Sequence, residues 1–209
     1  MYRGARASWP GLWHPSKLPG MGPDARPHVL GIDDGPFEKG QSQQVVIVGV
    51  VMEGRDLVEG VAVTRFPVDG AEVTSFLAHW VGGLRVRPAL QGIVLGGITT
   101  AGLAVVDVEQ LSAQLGIPVL VVNRRDPSNH RLQEALEAAG LEDRIAIVER
   151  TPAAAMLEDG LFLSHAGIDA AGAAGLVRAT LRKSAVPEPL RVAHLTARAI
   201  VTGESRGRV

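Results

Sequence analysis

Residues 28–66 read HVLGIDDGPFEKGQSQQVVIVGVVMEGRDLVEGVAVTRF, and this stretch contains three apolar segments separated by turn-forming residues. The segments span residues 29–32, 45–52 and 57–66, and their valine-rich composition is typical of β-strands. Only the tight connection 53–56 separates the second segment from the third. Because short turns join antiparallel neighbours, the stretch predicts an antiparallel meander of three strands.

The rest of the chain alternates between helix-like and strand-like segments. Helices are expected at about 69–81, 106–115, 128–139, 169–184 and 189–202, and strands at 90–95, 118–122, 145–148 and 161–164. This alternation indicates a parallel arrangement with helices packed on the sheet. The predicted fold class is therefore α/β, with a mixed sheet in which three antiparallel strands precede βα units and helices cover both faces. This is the topology of the ribonuclease H-like fold.

The composition is that of a globular protein and excludes several kinds of site. Of the 209 residues, 46% are hydrophobic, and none is a cysteine. Disulfides, thiolate metal sites and cysteine nucleophiles are therefore excluded, and a metal would have to bind oxygen or imidazole ligands. The formal net charge of −1 provides no overall attraction to nucleic acid.

The N-terminal segment 1–27 differs from the rest of the chain. It is rich in proline and glycine and has no periodicity, which predicts a flexible tail. Its Trp9 and Trp13 are expected to dock on the domain or on a partner chain, with stacking on nucleobases as the alternative. Residues 28–209 are predicted to form a single domain. No signal sequence or membrane span is visible, so we expect a cytoplasmic protein that does not associate with membranes.

Adjacent carboxylates at the end of the first predicted strand, Asp33 and Asp34, are the first chemical signal. Neighbouring residues of a strand point to opposite faces, so only one of the two easily faces a given site. Carboxylates held together repel each other unless a cation is present, and Mg²⁺ typically takes one or two carboxylates together with water and phosphate oxygens. The pair therefore predicts a divalent-metal site. The alternative is an Asp-Gly turn in which Asp34 caps its own backbone.

Two further acids and a glycine-rich loop add to this signal. Asp69 and Asp107 are candidate ligands, but each also precedes a predicted helix and is therefore a candidate N-cap. The loop Gly96–Gly102 contains Gly97 and Thr99, and its glycines would let backbone N–H groups approach a phosphate. Its spacing matches neither a Walker motif nor a dinucleotide-binding motif.

The C-terminal part of the chain is basic. Arg191 and Arg198 share one face of a predicted helix with His194 between them, and Arg206 and Arg208 follow close to the end. These residues would form a phosphate-binding arm. The alternative is a solvated helix face followed by a frayed end.

Four motifs, in this order and spacing, resemble those of one family. They are Gly-Ile-Asp-Asp-Gly-Pro-Phe at 31–37, Val-Asp-Gly-Ala-Glu-Val-Thr at 68–74, Gly-Gly-Ile-Thr at 96–99 with Ala-Gly-Leu-Ala-Val-Val-Asp at 101–107, and Pro-Glu-Pro-Leu-Arg-Val-Ala-His at 187–194 with Gly-Glu-Ser-Arg-Gly-Arg at 203–208. Together they resemble the endonuclease-V-like family of uncharacterised proteins, a family of unknown function distantly related to endonuclease V. The resemblance covers about residues 28–209.

This resemblance implies a ribonuclease H-like core that hydrolyses a phosphodiester near a deaminated purine, with Mg²⁺ held by acidic residues. Asp33 matches the first acidic position of endonuclease V. The acids nearest to the second and third positions are Asp69 and Asp107. The turn that corresponds to the base-opening wedge of endonuclease V, Asp56–Gly60, contains no aromatic residue, so inosine-selective cleavage is not expected.

The leading prediction is a nucleic-acid-binding protein that hydrolyses phosphodiesters with Mg²⁺ or Mn²⁺ at a degenerate acidic site. The predicted catalytic residues are Asp33, Asp69 and Asp107, the metal ligands Asp33, Asp34 and Asp69, and the phosphate or nucleic-acid contacts Gly97, Thr99, Arg191, His194, Arg206 and Arg208. One alternative is a non-catalytic binding or scaffolding module on the same fold. Another is a small-molecule phosphohydrolase that uses the Gly96–Gly102 loop.

Overall fold

The computed structural model describes residues 25–127, 129–157, 160–182 and 186–206, and these form one series of strands and helices. The strands are β1 (His28–Asp34), β2 (Gln44–Glu53), β3 (Leu57–Pro67), β4 (Gly92–Leu95), β5 (Thr99–Thr100), β6 (Ala104–Val105), β7 (Val119–Asn123), β8 (Ala155–Met156) and β9 (Phe162–Ala166). The helices are α1 (Val73–Gly82), α2 (Val108–Leu115), α3 (Asn129–Ala138), α4 (Ile145–Arg150), α5 (Ala170–Thr180) and α6 (Glu188–Thr202). Single 3₁₀ turns lie at Arg87–Ala89 and Glu142–Arg144.

The first three strands form the antiparallel meander that the sequence predicts. Asp33 of β1 lies beside Val48 of β2, and Val48 lies beside Val63 of β3. β2 is buried along most of its length, as its unbroken apolar run indicates for a strand covered on both faces.

The meander continues into one mixed sheet of seven strands in the order β3-β2-β1-β4-β7-β9-β8. β1, β4 and β7 run parallel, with Ile32 beside Leu95 and Leu95 beside Val121. The carboxyl ends of these three strands therefore meet at one edge of the sheet. The residues that follow them in the chain lie side by side along that edge.

β9 contradicts the prediction that every strand of the second half is parallel. It runs antiparallel to both β7 and β8. After β7 the chain crosses over, so that β8 runs parallel to β7. Backbone hydrogen bonding between Leu157 and Leu161 then joins β8 to β9, which lies between β7 and β8 and runs antiparallel to both. The sequence pattern did not indicate β8, because this strand has only two residues and both are exposed.

Helices cover both faces of the sheet. The side chains between one face and the pair α1 and α2 include Leu30, Ile47, Leu77, Leu111 and Val121. Those on the opposite face, against α5 and α6, include Val29, Val48, Leu120, Leu176, Leu190 and Ala193. Burial of these aliphatic side chains is the main source of stability for a core with so few aromatic residues.

Two glycines let α6 lie very close to β1. A Cβ atom on Gly31 would overlap the backbone of Pro189 at the start of α6. A Cβ atom on Gly35, just after β1, would lie 2.9 Å from Val201 Cγ2 and 3.0 Å from Ala197 O. α6 therefore runs alongside β1 in the same direction, and its middle turn lies beside the end of that strand.

Residues 145–148, expected to be a strand, belong instead to helix α4. Val148 is fully buried there against Leu136 of α3 and Val105 of β6. A short apolar run is compatible with the two-residue period of a strand and with the 3.6-residue period of a helix, and here packing against α3 favours the helix.

Other local expectations change as well. α1 begins at Val73 with Glu72 in the N-cap position, so the prediction that Asp69 caps this helix is wrong. The segment expected to be an open loop after β4 contains the small β5–β6 hairpin. Residue 128, the expected start of the third helix, lies outside the described residues. The helix expected to reach residue 184 ends earlier, at Thr180, because Leu181 is extended.

Most of the predicted N-terminal tail, with Trp9 and Trp13, lies outside the described residues, which begin at Ala25. The last residues of the tail pack against the β2–β3 turn, where Gly54 N–H donates to Pro27 O at 2.8 Å and Arg26 lies 3.2 Å from Glu53. No helix in the described part of the chain is long and apolar enough to cross a membrane.

Candidate active site

Asp33 and Asp34 end β1 at the edge where the parallel strands finish, and their side chains turn to opposite sides of the sheet. Asp33 faces α6, where its Oδ2 shares a 2.8 Å hydrogen bond with His194 Nδ1. Asp34 faces the β5–β6 hairpin, where its Oδ2 accepts a 2.7 Å hydrogen bond from Ala101 N–H. The two carboxylates therefore flank the end of one strand.

Burial makes ionisation of both carboxylates costly. It raises the pKa of Asp33, although the neighbouring His194 acts in the opposite direction. Burial likewise raises the pKa of Asp34, and the negative charge of Asp33 adds to that increase while the Ala101 N–H opposes it. An acid pair with raised pKa values in a partly open position is typical of functional sites.

The chemistry of this pair fits a hard divalent cation. A cation would relieve the repulsion between the two carboxylates and compensate for the burial of their charge. Among the residues that the structure describes, no three His, Asp or Glu side chains form a group that could hold a metal ion. A cation bound at one of these carboxylates would therefore complete its shell with water and phosphate oxygens, which is the usual arrangement for Mg²⁺.

Asp69 secures a turn of the backbone. Its Oδ1 accepts a 2.6 Å hydrogen bond from Leu103 N–H, and its backbone O accepts a 2.7 Å bond from Arg144 Nη2. The same Arg144 donates to Leu103 O at 2.7 Å, so one buried guanidinium joins the two segments. A side chain on Gly102 would collide with the Asp69 carboxylate. Asp69 thus has a structural partner at the tip of the β5–β6 hairpin.

Asp107 is the N-cap of α2, in agreement with the alternative interpretation of this residue. Its Oδ1 accepts a 2.9 Å hydrogen bond from Gln110 N–H, and its Oδ2 lies 2.8 Å from Arg150 Nε. Its side chain is only 8% exposed. The three predicted catalytic acids Asp33, Asp69 and Asp107 do not come together as a metal-binding group within the described residues.

At the tip of the glycine-rich loop, backbone N–H groups bond to carboxylates of the protein itself. The N–H groups of Ala101 and Leu103 donate to the carboxylates of Asp34 and Asp69. The Ala101 amide of the loop and the Leu103 amide just after it are thus already bonded and not free to bind a phosphate. Gly97 and Thr99, earlier in the loop, line a cleft instead.

This cleft, of about 460 Å³, lies at the carboxyl ends of β4 and β7. Gly96 follows Leu95, the register partner of Ile32, so the cleft begins one strand away from the end of β1. Val121, which lines the cleft, packs on the side of the sheet that α1 and α2 cover, and this is the side that Asp34 faces and Asp33 does not. The residues around the cleft are Gly96, Gly97, Ile98, Thr99, Val121, Asn123, Asp126, Pro127, Leu132, Thr151, Pro152, Ala153, Ala154 and Ser164. Sequence reasoning missed Asn123, although it ends a buried parallel strand just as Asp33 does.

The basic residues of α6 have different partners. Arg191 Nε and Nη2 bond to the carboxylate of the buried Glu188 at 2.9 Å and 2.6 Å, and this contact raises the pKa of Arg191. His194 bonds to Asp33, and Arg198 is exposed one turn further along. Arg206 is also exposed, 3.7 Å from Glu204, whereas Arg208 lies outside the described residues. The sequence did not indicate Glu188, which fixes the position of Arg191.

The overall architecture is shared with endonuclease V. The endonuclease V of Ciona intestinalis, solved with a 24mer DNA containing an inosine followed by a ribo-adenosine, has a TM-score of 0.53 and 16% identity over 85% of this chain and 87% of that chain. A protein of unknown function from Archaeoglobus fulgidus has a TM-score of 0.78 and 34% identity over 85% of this chain and 100% of that chain.

Sequence comparison then identifies the family. The family model for endonuclease dU matches residues 25–201, and the chain belongs to this family. A UPF0215 protein of Methanothermobacter thermautotrophicus is 38% identical over 183 residues, which cover 86% of this chain and 90% of the relative. The resemblance to an uncharacterised endonuclease-V-like family is thereby confirmed.

Proposed function

We propose that this protein is a divalent-metal-dependent endonuclease that cleaves DNA near deoxyuridine, with residues 28–209 forming one ribonuclease H-like domain. The observation that carries the proposal is the pair of partly buried carboxylates, Asp33 and Asp34, beside an open cleft. The family name, endonuclease dU, supports both the reaction class and the modified nucleotide.

Asp33 would hold a Mg²⁺ or Mn²⁺ ion through its carboxylate oxygens, and His194 would keep this carboxylate in position. Asp34, whose carboxylate turns to the other side of the sheet, would add negative charge nearby. The bound ion would neutralise charge that develops on the attacked phosphate. Asp69 and Asp107 take no direct part in this proposal, because their carboxylates already bond to Leu103 and to Gln110 and Arg150.

The exposed basic residues beside Asp33 would bind the DNA backbone. Arg191 is held rigidly by Glu188, and Arg198 lies on the same side of α6. Arg206 and Arg208 would extend this basic surface. DNA binding would require such a local basic surface, because the overall charge of the protein is close to zero. The endonuclease V of Ciona intestinalis was solved with DNA, which supports DNA as the ligand.

The cleft at the carboxyl ends of β4 and β7, on the side of the sheet that Asp34 faces, would receive the modified base. An enzyme that recognises a damaged base reads it outside the base stack, in a pocket next to the reacting phosphate. The segment expected to correspond to the wedge of endonuclease V, Asp56–Gly60, belongs to β3 from Leu57 onward. It carries no aromatic side chain to open a duplex, so single-stranded or locally opened DNA is the expected substrate.

The test measures metal binding and cleavage in parallel. We expect Mn²⁺ to bind the wild-type protein in calorimetry and Asp33→Asn to abolish this binding. On labelled strands containing dU, inosine or only normal bases, we expect Asp33-dependent cleavage of the dU strand and no selective cleavage of the inosine strand. Asp56→Asn is the matched control, because Asp56 is an exposed acid that pairs with Arg182 in the β2–β3 turn.

Absence of Mn²⁺ binding at millimolar concentration would contradict the metal site. Cleavage confined to the inosine strand and lost in Asp33→Asn would contradict the proposed substrate.

A non-catalytic DNA-binding module is the second candidate. It is favoured by the absence of a three-acid group among the described residues and by Gly96-Gly97 at the end of β4. DNA binding that survives Asp33→Asn, without cleavage by the wild-type protein, would support it.

A further inference from the structure

We propose that the segment Trp9–Trp13 of the N-terminal tail docks on the valine surface of β3, which consists of Val58, Val61 and Val63. The inference goes beyond the proposed function, because neither the segment nor the surface belongs to the candidate active site. The sequence alone leaves the domain, a partner chain and nucleobases as candidate partners of the two tryptophans. The position of the valine surface favours the domain.

The valine surface lies on an open edge of the sheet. β3 is the outermost strand on one side of the seven-stranded sheet that the described residues form. Val61 and Val63 lie beside Val50 and Val48 of β2, which are buried on the side of the sheet that α6 covers. α6 packs on β1 and β2, so Val61 and Val63 remain 52% and 48% exposed. A register shift brings Val58, 44% exposed, to the same face. An apolar edge strand of this kind readily pairs with another chain unless a segment covers it.

The tail enters the fold beside the valine surface. Arg26 Nε lies 3.2 Å from Glu53 Oε1 at the end of β2. Gly54 N–H, in the β2–β3 turn, donates to Pro27 O at 2.8 Å. The end of the tail is therefore fixed at the turn from which β3 starts, at Leu57. From this point the tail has direct access to the strand that carries the three valines.

The segment Trp9–Trp13 supplies apolar side chains that suit this surface. Its sequence is Trp-Pro-Gly-Leu-Trp, and it contains two of the three tryptophans of the chain. Tryptophan rings bury a large apolar area, and they pack well against β-branched side chains on a sheet. Pro10 lacks a backbone N–H, and such a residue is tolerated at the edge of a sheet.

The length of the connecting chain matches the distance that it has to span. Eleven residues, 14–24, separate Trp13 from Ala25, the first described residue. Their three prolines and two glycines predict a flexible link, and a flexible link of this size has an end-to-end distance of about 19 Å. Val61 and Val63 lie four and six residues along β3 from Leu57, or about 13 and 20 Å.

This match favours the tail of the same chain over a second copy as the occupant. A link whose length equals the span gives the attached segment an effective concentration on the order of millimolar. A second copy at the lower protein concentrations used in solution experiments has no such advantage. The covalent connection therefore lets a small apolar contact hold the segment on the valine surface.

The experiment measures how well the tryptophans of the full-length protein are protected from the neutral quencher acrylamide. Docking protects Trp9 and Trp13, and Val61→Asp with Val63→Asp should abolish this protection because it places two charges under the rings. The third tryptophan, Trp80, packs with the core on the side of α1 and α2, so its emission should not respond. Val61→Thr with Val63→Thr, which keeps the shape and strand propensity of valine, should weaken the protection and serves if the aspartate variant does not fold.

Met156→Asp is the matched control. It removes an exposed apolar side chain from β8, at the opposite edge of the sheet, and should leave the protection unchanged. Tryptophans in the wild-type protein that are quenched as strongly as those of a peptide of residues 1–24 would overturn the inference. So would full protection in a valine variant that melts at the wild-type temperature. Protection that disappears on dilution, or that appears only when single-stranded DNA is added, would also overturn it, because the occupant would then be a second copy or the tryptophans would bind nucleobases.

Discussion

A carboxylate that is partly buried next to another carboxylate lowers the stability of the protein that contains it. Burial raises the pKa of both Asp33 and Asp34 above the ordinary value of 3.8. Between that value and the raised one, the folded protein therefore binds more protons than the unfolded chain. The free energy of unfolding consequently falls as the pH rises through this window and stays lower at neutral pH.

Asp34→Asn should therefore raise the melting temperature at pH 7 in the presence of EDTA. The amide removes the negative charge and keeps an oxygen that can accept from Ala101 N–H. The advantage should shrink as the pH falls below 3.8, where both aspartates are protonated in the unfolded chain as well. Thermal unfolding at a series of pH values measures this, and a variant that melts below the wild type at pH 7 would contradict it.

Added Mn²⁺ should change the difference in melting temperature between Asp34→Asn and the wild-type protein. A ligand that binds only the folded state at 100 times its Kd stabilises a protein by about 2.7 kcal/mol. The wild-type protein should gain this stability, and Asp34→Asn should gain less.

The roles of the individual aspartates could be predicted from the sequence only in part. Asp33 stands out because it ends a buried strand, and Asp107 is a recognisable cap because α2 follows it at once. The role of Asp69 could not be predicted, because its partners Leu103 and Arg144 are 34 and 75 positions away. Asn123 also lies at the end of a buried strand, as Asp33 does, but it was not singled out because its side chain is uncharged.

At the scale of elements, the fit of α6 against β1 positions the site. Gly31→Ala would force the start of α6 away from β1, because a Cβ atom there overlaps the backbone of Pro189. Overpacking of this kind typically costs about 1–3 kcal/mol, and here the neighbour is backbone that cannot rotate away. The displaced helix should also weaken the contact between His194 and Asp33, so Mn²⁺ binding should weaken with stability.

Gly60→Ala provides the control for this prediction. No atom lies within 4 Å of the position that its Cβ would take, so a change of no more than about 0.5 kcal/mol is expected. Urea unfolding of the two variants gives the comparison. Equal stabilities would show that α6 can move away from β1 without cost.

Elements with a long and regular pattern were predicted best. The meander, α1, α2, α5 and α6 follow from their periodicity and from the residues at their ends, such as Gly116 in the left-handed conformation after α2. Residues 145–148 were misassigned because four apolar residues fit a strand or a helix equally well. The β5–β6 hairpin could not be predicted, because two carboxylates from distant segments hold its turn.

For the whole molecule, the weak net charge makes DNA binding depend on a few local arginines. Each phosphate contact to single-stranded DNA contributes about 0.7 to the slope of log affinity against log salt. Replacing both Arg206 and Arg208 with alanine should therefore reduce the slope by about 1.4 and weaken binding to every sequence alike.

Arg182→Ala is the control, because Arg182 pairs with Asp56 in the β2–β3 turn, away from the proposed basic surface. Anisotropy titrations between 50 and 200 mM salt, on the order of the range in which such effects are large, measure the slopes. An unchanged slope in the double variant would remove the C-terminal arginines from the DNA-binding surface.

The hydrogen bond between His194 and Asp33 joins residues 161 positions apart. During synthesis, β1 leaves the ribosome long before α6 has been made, so Asp33 can form this bond only after residues 188–202 have been translated. Folds closed by such distant contacts form slowly, and their unfinished intermediates expose apolar surface. A chain that does not yet include α6 therefore has no assembled site, and any nuclease activity that depends on His194 begins only after α6 has been translated.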